Sequence, residues 1–379
     1  MKIVTMAGAL KSAMRIAGFV IEPRNTLPIL GCVKFDGAKI TATNLDMEVE
    51  AKFPAAQANG AACVDFLSLN RLVGAIPADE TVTIETNDDG VSLAFDEGLY
   101  QLHTLPASDF PDIGMPKRMR HEKAGEQIVN AFRLVSHFVS DEETRYYLNG
   151  ICLDGDLAVA TNGHVLGNFP TGMSFDDRPI VPRFAVQAIN RIGPFKSLAV
   201  EKEQMRAEFH FDGVKLRTKL IDGTFPEWQR VVPELNDDAP RLIVKRSELL
   251  AAIKRMSSVR LGRTHLVTFA AHINKCVAYS GNVDRGIARE RLPSALVENA
   301  PEPVTISFDA KYLVLMCGAH SRSGTLVFGF NDAGSPCLIA SEMEGFSSIL
   351  MPVRSGNDSS AIMSIDMLAR RSVEQGRAA

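Results

Sequence analysis

The residues of this chain that could do chemistry are few and weakly assembled. Asp46 and Glu48 alternate in a strand-like stretch, as paired carboxylates would, and His164 follows Gly163 in a turn where an imidazole could act as a general base. None of the eight histidines sits in an HExxH pattern, and His265 and His272, seven apart, define no ligand set. The six cysteines, Cys32, Cys63, Cys152, Cys276, Cys317 and Cys337, are scattered without a CxxC pair, which reads as reduced core thiols rather than a zinc site or a disulfide framework. No GxGxxG, Walker or GxSxG pattern occurs. The expectation is no catalytic residue, no metal and no cofactor. A soluble enzyme using His164 is the rival, and the TNGH turn around that histidine already has a structural use as a hairpin.

The elements that carry these residues recur. KITATNLDMEVEA at 39–51, LAVATNGHVLGNF at 157–169 and KCVAYSGNVDRGIA at 275–288 share one pattern at spacings of about 117 to 119 residues. A second landmark, a DG turn followed by strands and Phe-Pro, ends at Phe110-Pro111 and again at Phe225-Pro226; the third copy ends instead on Met351-Pro352. Helical windows fall at 8–19, 68–76, 126–139, 183–193, 247–260 and 309–317, with Ser68, Ser247 and Asp309 as expected N-caps. Alternating strands broken by DG, NG and PA turns fill the rest. The fold class expected is α+β, with three tandem domains at 1–120, 121–240 and 241–355, each built of antiparallel sheets with two helices on one face. Residues 356–379 open with Gly, Asn, Asp and Ser and are expected to form a flexible tail, with a short helix near 361–371.

At 379 residues, 46% apolar and 23% charged, the composition is that of a globular protein, and neither a signal peptide nor an 18-residue apolar run appears, so a cytoplasmic location is expected. The net charge of −4 is unevenly spread. The helical windows hold Lys11, Arg15, Arg71, Arg133, Arg183, Arg191, Lys254, Arg255, Arg260 and Lys311 against Glu126, Glu248 and Asp309, a surplus of seven that leaves −11 on the remainder. Two readings stand side by side: a phosphate-facing surface that reads no bases, or good helix formers on a solvated face. If two chains closed six such domains into a ring, twelve helices about 9 Å apart would line a hole roughly 24 Å wide, enough for a DNA duplex.

The same segments resemble the bacterial β sliding clamp family, the β subunit of DNA polymerase III. The stretches RNTLPILGCVKFDG at 24–37, TATNLDMEVEA at 41–51, LHTLPASDFP at 102–111, ETRYYLNGICL at 143–153, VATNGHVLGNFP at 159–170, VPRFAV at 181–186, LIDGTFPEWQRVVP at 220–233 and ILMPVR at 349–354 carry the resemblance in order. It implies a non-catalytic homodimeric ring around duplex DNA, processivity for the replicative polymerase, opening by an ATP-dependent clamp loader, and a pocket that polymerase subunits, mismatch-repair proteins and other factors enter through hydrophobic peptides. Carried over by position, that pocket comprises Leu148, Thr161, Gly163, His164, Leu166, Pro226, Arg230, Val231, Ile349, Met351, Pro352, Val353 and Arg354. Arg24 is implied to face DNA, with Lys11, Arg15, Arg71, Arg133, Arg183, Arg191, Lys254 and Arg255 as helix-borne candidates. The dimer interface is implied to join the edge strand at 99–104, with Tyr100 and Leu102, to the helix region around Arg255 and Met256 of the other copy.

Three departures stand out. Val165 and Phe184 occupy positions where the family commonly carries a basic residue, and the tail of 25 residues after Arg354 extends past the usual end, beside the pocket. The tail is expected to hang free rather than cover the pocket. These departures keep open a diverged accessory clamp serving a plasmid, phage or repair polymerase.

Overall fold

The structure is a computed structural model describing residues 1–96, 98–114, 119–201, 203, 205–258, 265–272, 275–282 and 286–377; Arg260 and the tip of the third repeat's turn lie outside the described residues. A strand that runs straight into a helix, followed by an antiparallel meander, is the building block, and each third of the chain uses it twice. The first third is β1 (Lys2–Met6), α1 (Ala7–Ala17), β2 (Cys32–Asp36), β3 (Lys39–Thr43), β4 (Met47–Lys52) and β5 (Gln57–Asn59), then β6 (Ala61–Asp65), α2 (Phe66–Ala75), β7 (Thr81–Asn87), β8 (Gly90–Phe95), β9 (Gly98–Leu102) and β10 (Thr104–Leu105). The middle third is β11 (Glu122–Lys123), α3 (Glu126–Val135), β12 (Gly150–Thr161) and β13 (Val165–Phe175), then β14 (Ile180–Pro182), α4 (Arg183–Ile192), β15 (Ser197–Glu201), β16 (Arg206–His210) and β17 (Val214–Lys219). The last is β18 (Arg241–Lys245), α5 (Arg246–Ser258), β19 (Leu266–His272), β20 (Lys275–Asn282), β21 (Gly286–Arg291) and β22 (Leu296–Glu298), then β23 (Val304–Asp309), α6 (Ala310–Ala319), β24 (Thr325–Gly329), β25 (Cys337–Ser341) and β26 (Ser347–Leu350), with α7 (Asp358–Arg377) beyond it.

The six helices fall within the windows read from apolar periodicity, give or take a turn. In α1 the stripe Ala7, Leu10, Ala13, Met14, Ala17 is buried, which sets the helix face. Two expected caps move. Asp65 caps α2, its carboxylate accepting from the Ser68 N–H at 2.7 Å, so Ser68 is the residue being capped. Ser247 lies inside α5, which starts at Arg246. Asp309 does cap α6, accepting from Lys311 N at 2.9 Å.

Lead strands are exchanged between the two halves of a third. β1 pairs with β7 and β6 with β2 in the first third; β18 pairs with β24 and β23 with β19 in the last. Sheets also continue across the borders between thirds. β4 pairs antiparallel with β17, Met47 opposite Thr218, and β13 pairs antiparallel with β26, Leu166 opposite Ile349. The chain therefore divides into two compact units, Met1–Val129 with Asp177–Gly223 and Asn130–Asp176 with Thr224–Ala379, and the cut runs through the middle third. Each half of that third is joined by backbone hydrogen bonds to a neighbouring third.

All six cysteines are buried and free, and burial pushes the Cys32 and Cys63 thiols up to about 11, as inert core thiols should be. No helix among the described residues is long and apolar enough to cross a membrane.

The tail differs from the expected hanging segment. Apolar residues at 361, 362, 365 and 368 line one helical face, and Ala361 and Ile365 bury against Ala270, Val277 and Tyr279 of β19 and β20, while Arg289 of β21 donates to the Ser364 hydroxyl at 2.9 Å. Deleting residues 356–379 should therefore lower the stability of this unit by roughly 2–3 kcal/mol, the value of burying one large aliphatic side chain and part of two more. Thermal unfolding of the two chains checks this; superimposable melts would show that α7 contributes nothing.

Candidate functional site

The site is built on a turn whose geometry the sequence repeats. In Thr161–Val165 the Thr161 hydroxyl donates to Val165 O at 2.7 Å and accepts from Gly163 N at 3.1 Å, while the Asn162 amide oxygen accepts from His164 N at 2.9 Å and Val165 N at 3.1 Å. Thr43–Met47 makes the same four bonds at 2.8, 3.1, 3.1 and 2.8 Å. This is why T-A-T-N and V-A-T-N recur: threonine and asparagine side chains satisfy the turn's backbone donors. Gly163 has φ +88°, which glycine adopts without steric cost and which Leu45 matches at +76° in the first turn, and a Cβ at 163 would lie 2.6 Å from an Arg145 guanidinium nitrogen, which would have to shift.

Four segments converge beside the second turn. The 3-10 turn Tyr146–Leu148 contributes Tyr147 and Leu148, and the β12–β13 turn contributes Thr161, Gly163, His164, Val165 and Leu166. The loop at 226–231 contributes Pro226, Glu227, Trp228 and Val231, and the end of β26 contributes Ile349 and Met351. Arg145 closes one side by donating to Asn162 O at 3.1 Å. Together they enclose a cleft of about 260 Å³. Its back is fixed by backbone, Met351 N donating to His164 O at 2.9 Å, and its floor by Trp228, whose indole N–H donates to Asp154 at 2.7 Å. An apolar cleft with a methionine on its wall and a few placed polar groups suits aliphatic and aromatic side chains of a peptide.

Nine of the thirteen residues expected in the pocket line this cleft; Arg230, Pro352, Val353 and Arg354 do not. Arg230 is exposed on its 3-10 turn. After Met351 the chain turns away: Val353 N donates to Ser307 O at 2.8 Å and Ser355 joins the Thr268 and Ser307 hydroxyls. Val353 and Arg354 thus line a separate hollow where α7 begins. Missed were Arg145, Tyr147, Val165, Glu227 and Trp228. Val165, the departure expected to have removed a charge, is 1% exposed and is a wall of the cleft.

The residues that suggested an enzyme are occupied otherwise. His164 stacks on Tyr312 at 5.1 Å between ring centroids. Asp46 pairs with Lys219 at 2.9 Å and Glu48 with Arg217 at 2.6 Å. A histidine cluster that the sequence did not suggest gathers His121, Glu208 and His210. Burial opposes ionisation of Glu208, but hydrogen bonds from Arg217 and His210 outweigh it and hold the carboxyl below its usual range. The two imidazoles stack at 4.2 Å with planes 28° apart, and the Nε2 atoms of both meet the same Glu208 carboxylate oxygen, His121 at 3.1 Å and His210 at 2.5 Å.

Behind the cleft, His320 is fully buried, bonded to Ser341 and to Ser348 of β26 at 2.8 Å each. Burial, helped by His137, pushes its pKa down to about 4. An unfolded histidine titrates near 6.5, so between these values the unfolded chain binds the extra proton. This contribution is intact above pH 6.5 and is lost as pH falls toward 4, a penalty of about 3 kcal/mol. The difference in urea stability between pH 7 and pH 4 should shrink by about that amount in His320→Asn; an unchanged difference would place the acid sensitivity elsewhere.

The basic residues divide. Arg15, Arg24, Arg71, Arg133, Arg191 and Lys254 are exposed, whereas Lys11 donates to the Ile76 carbonyl and Arg255 pairs with Glu290 of β21. Met256, expected at an interface, is 4% exposed and packs inside its own unit, because it falls on the buried face of α5. β9 is an edge strand, with Leu99 73% and Tyr100 44% exposed.

Residues 1–114 match the family described as DNA polymerase III beta subunit, N-terminal domain. The chain is 29% identical over 381 residues to the beta sliding clamp of Caulobacter vibrioides, covering 93% of this chain and 100% of the relative. The crystal structure of the DNA polymerase sliding clamp from Caulobacter crescentus superposes with a TM-score of 0.80 at 27% identity, over 94% of this chain and 100% of that one. Over nearly its whole length the chain is similar, in sequence and in fold, to bacterial β sliding clamps. A clamp from Bartonella birtlesii bound to griselimycin is similarly close, TM-score 0.83 at 28% identity over 94% of this chain and 100% of its own. β sliding clamps are non-catalytic processivity factors.

Proposed function

We propose that two copies of this chain close head to tail into a ring around duplex DNA, and that the cleft docks hydrophobic peptides from polymerase subunits, the ATP-dependent clamp loader and mismatch-repair proteins. One observation carries the ring. At both internal seams the outer strand of a first half's meander pairs antiparallel with the outer strand of the next third's second-half meander: β4 with β17, and β13 with β26. Applied once more, the rule matches β21, the edge of the last third's first half, with β9, the edge of the first third's second half. Within one chain both edges are left over, so a second copy supplies the partner, and two such seams close a ring. The Arg255–Glu290 pair then sits at the seam rather than on the DNA side. Arg15, Arg24, Arg71, Arg133, Arg183, Arg191 and Lys254 supply the mild positive lining that topological binding needs.

The test is the mass in solution together with retention on DNA. A dimer that stays on closed circular plasmid after loading and is lost on linearisation is expected. A monomer at micromolar concentration, or equal retention on both forms, would overturn the ring. The same assay in cells depleted of this chain decides between the main replicative clamp and an accessory one.

A further inference from the structure

The cluster of His121, Glu208 and His210 lies within the unit formed by Met1–Val129 and Asp177–Gly223, and the sheet itself assembles it. Glu208 and His210 are two apart on β16, so both side chains leave the same face. β11 pairs with β15, Lys123 opposite Ser197 and Glu122 opposite Leu198. Continued by one residue, that register sets His121 opposite Ala199, which in turn stands opposite Glu208. The small alanine in this cross-strand row lets the imidazole reach over β15 to the carboxylate. No local spacing marks the set, since His121 and Glu208 meet only across the sheet.

The carboxylate is aimed from behind. Its Oε2 accepts from Arg217 Nε at 2.6 Å, and Arg217 Nη1 donates in turn to Glu48 Oε1 at 2.6 Å. The Glu208 side chain is 10% exposed, while His121 and His210, at 28% and 29%, keep a path to solvent. Lys215 stands opposite His210 on β17, with Glu50 of β4 opposite Lys215, so that positive charge has a carboxylate across the ladder.

A single acceptor oxygen gains little from two stacked imidazoles that compete for it. Two imidazole nitrogens and a carboxylate oxygen gathered at one point are instead a donor set for a borderline cation such as Zn²⁺. With bonds of about 2.0–2.2 Å, neighbouring ligand atoms of a tetrahedral zinc site lie roughly 3.3–3.5 Å apart. Here the two Nε2 atoms stand 3.1 and 2.5 Å from Oε1, and all three ligand atoms lie within 4.8 Å of one another. Side-chain shifts of about 1 Å open the set to that geometry, with Arg217 fixing the carboxylate as outer-sphere partners do. We propose that His121, Glu208 and His210 bind one divalent transition-metal cation of the zinc class, with water completing its coordination. The consequence is mechanical. β11 is two residues long and lies at the edge of its sheet, and the cation ties the residue leading into it to β16. Binding does not depend on ring closure.

The full chain, free of any histidine tag and stripped of metal with a chelator, is titrated with Co²⁺ and with Zn²⁺. One equivalent of Co²⁺ should bind and give the visible absorption of a nitrogen- and oxygen-ligated ion, and Zn²⁺ should displace it. His121→Ala and His210→Ala should each weaken Zn²⁺ binding by more than about a hundredfold, beyond what loss of an outer-sphere partner costs. Glu208→Gln, which keeps the shape and removes the charge, should do likewise, whereas replacing the exposed His103 by Ala should change nothing. Zn²⁺ should raise the melting temperature of the unsubstituted chain and leave that of His121→Ala where it is. His121 is exposed beside an edge strand, so its variant keeps the fold and circular dichroism checks this. Absence of saturable binding at micromolar metal, thiolate-to-cobalt absorption that marks a cysteine ligand, or equal affinity in His121→Ala would overturn the proposal and leave the cluster as a hydrogen-bonded pair of imidazoles on one carboxylate.

Discussion

Met351→Asp is expected to weaken docking of a Leu- and Phe-containing peptide by at least about thirtyfold while leaving the fold intact. Met351 lines the cleft and is half-buried there, and its backbone N–H holds His164 O, a bond that the substitution leaves in place. Losing an apolar wall costs about 1.5–3 kcal/mol of burial, and a carboxylate facing an aliphatic ligand adds a desolvation cost. The chain carries its own probe, since its single tryptophan, Trp228, forms the cleft floor. Tryptophan emission titrated with peptide reads the affinity directly. Arg354→Ala is the informative companion. The resemblance places Arg354 at the pocket, whereas here it lines the hollow beside α7, so its loss should change affinity less than about twofold. If Arg354→Ala weakened binding as much as Met351→Asp, the chain end would have to fold back over the cleft. Deleting residues 356–379 should likewise leave peptide affinity unchanged, because α7 packs on β19 and β20.

Leu99→Glu combined with Ile287→Glu is expected to convert a dimer into a monomer at micromolar concentration. Leu99 on β9 and Ile287 on β21 are 73% and 50% exposed within one chain, on the two edges that the seam rule brings together. Apolar side chains on edge strands are a liability unless another strand covers them. Four carboxylates introduced at each ring's two seams would face desolvation and mutual repulsion, several kcal/mol per seam. Both positions are solvent-facing in the monomer, so thermal stability should hold while the mass halves. Light scattering reads the outcome, and an unaltered dimer would show that a different surface closes the ring. Loss of the dimer with loss of plasmid retention would tie ring closure to the activity.

What was legible in the sequence was local. The helices were visible because each must turn an apolar stripe inward every three to four residues, as Leu10, Ala13, Met14 and Ala17 do. The turn at Thr161–Val165 was visible because threonine and asparagine close it through their own side chains, and it located the cleft's central wall. Trp228 was not legible: its partner Asp154 lies 74 residues earlier, and no periodicity marks a lone aromatic in a loop. The pairing of Arg255 was not legible either, because Glu290 reaches it from β21, 35 residues later.

The amino-acid sequence by itself determined the half-repeat, its strand, helix and meander, since those follow from alternation, helical periodicity and side-chain-capped turns within a few residues. Tertiary structure decided which strand meets which. Backbone hydrogen bonds are alike at every strand edge, so only the three-dimensional path could exchange the lead strands, run sheets across the borders of the repeats and lay α7 on β19 and β20. The same path sent Val353 and Arg354 away from the cleft, and it left β9 and β21 at sheet edges.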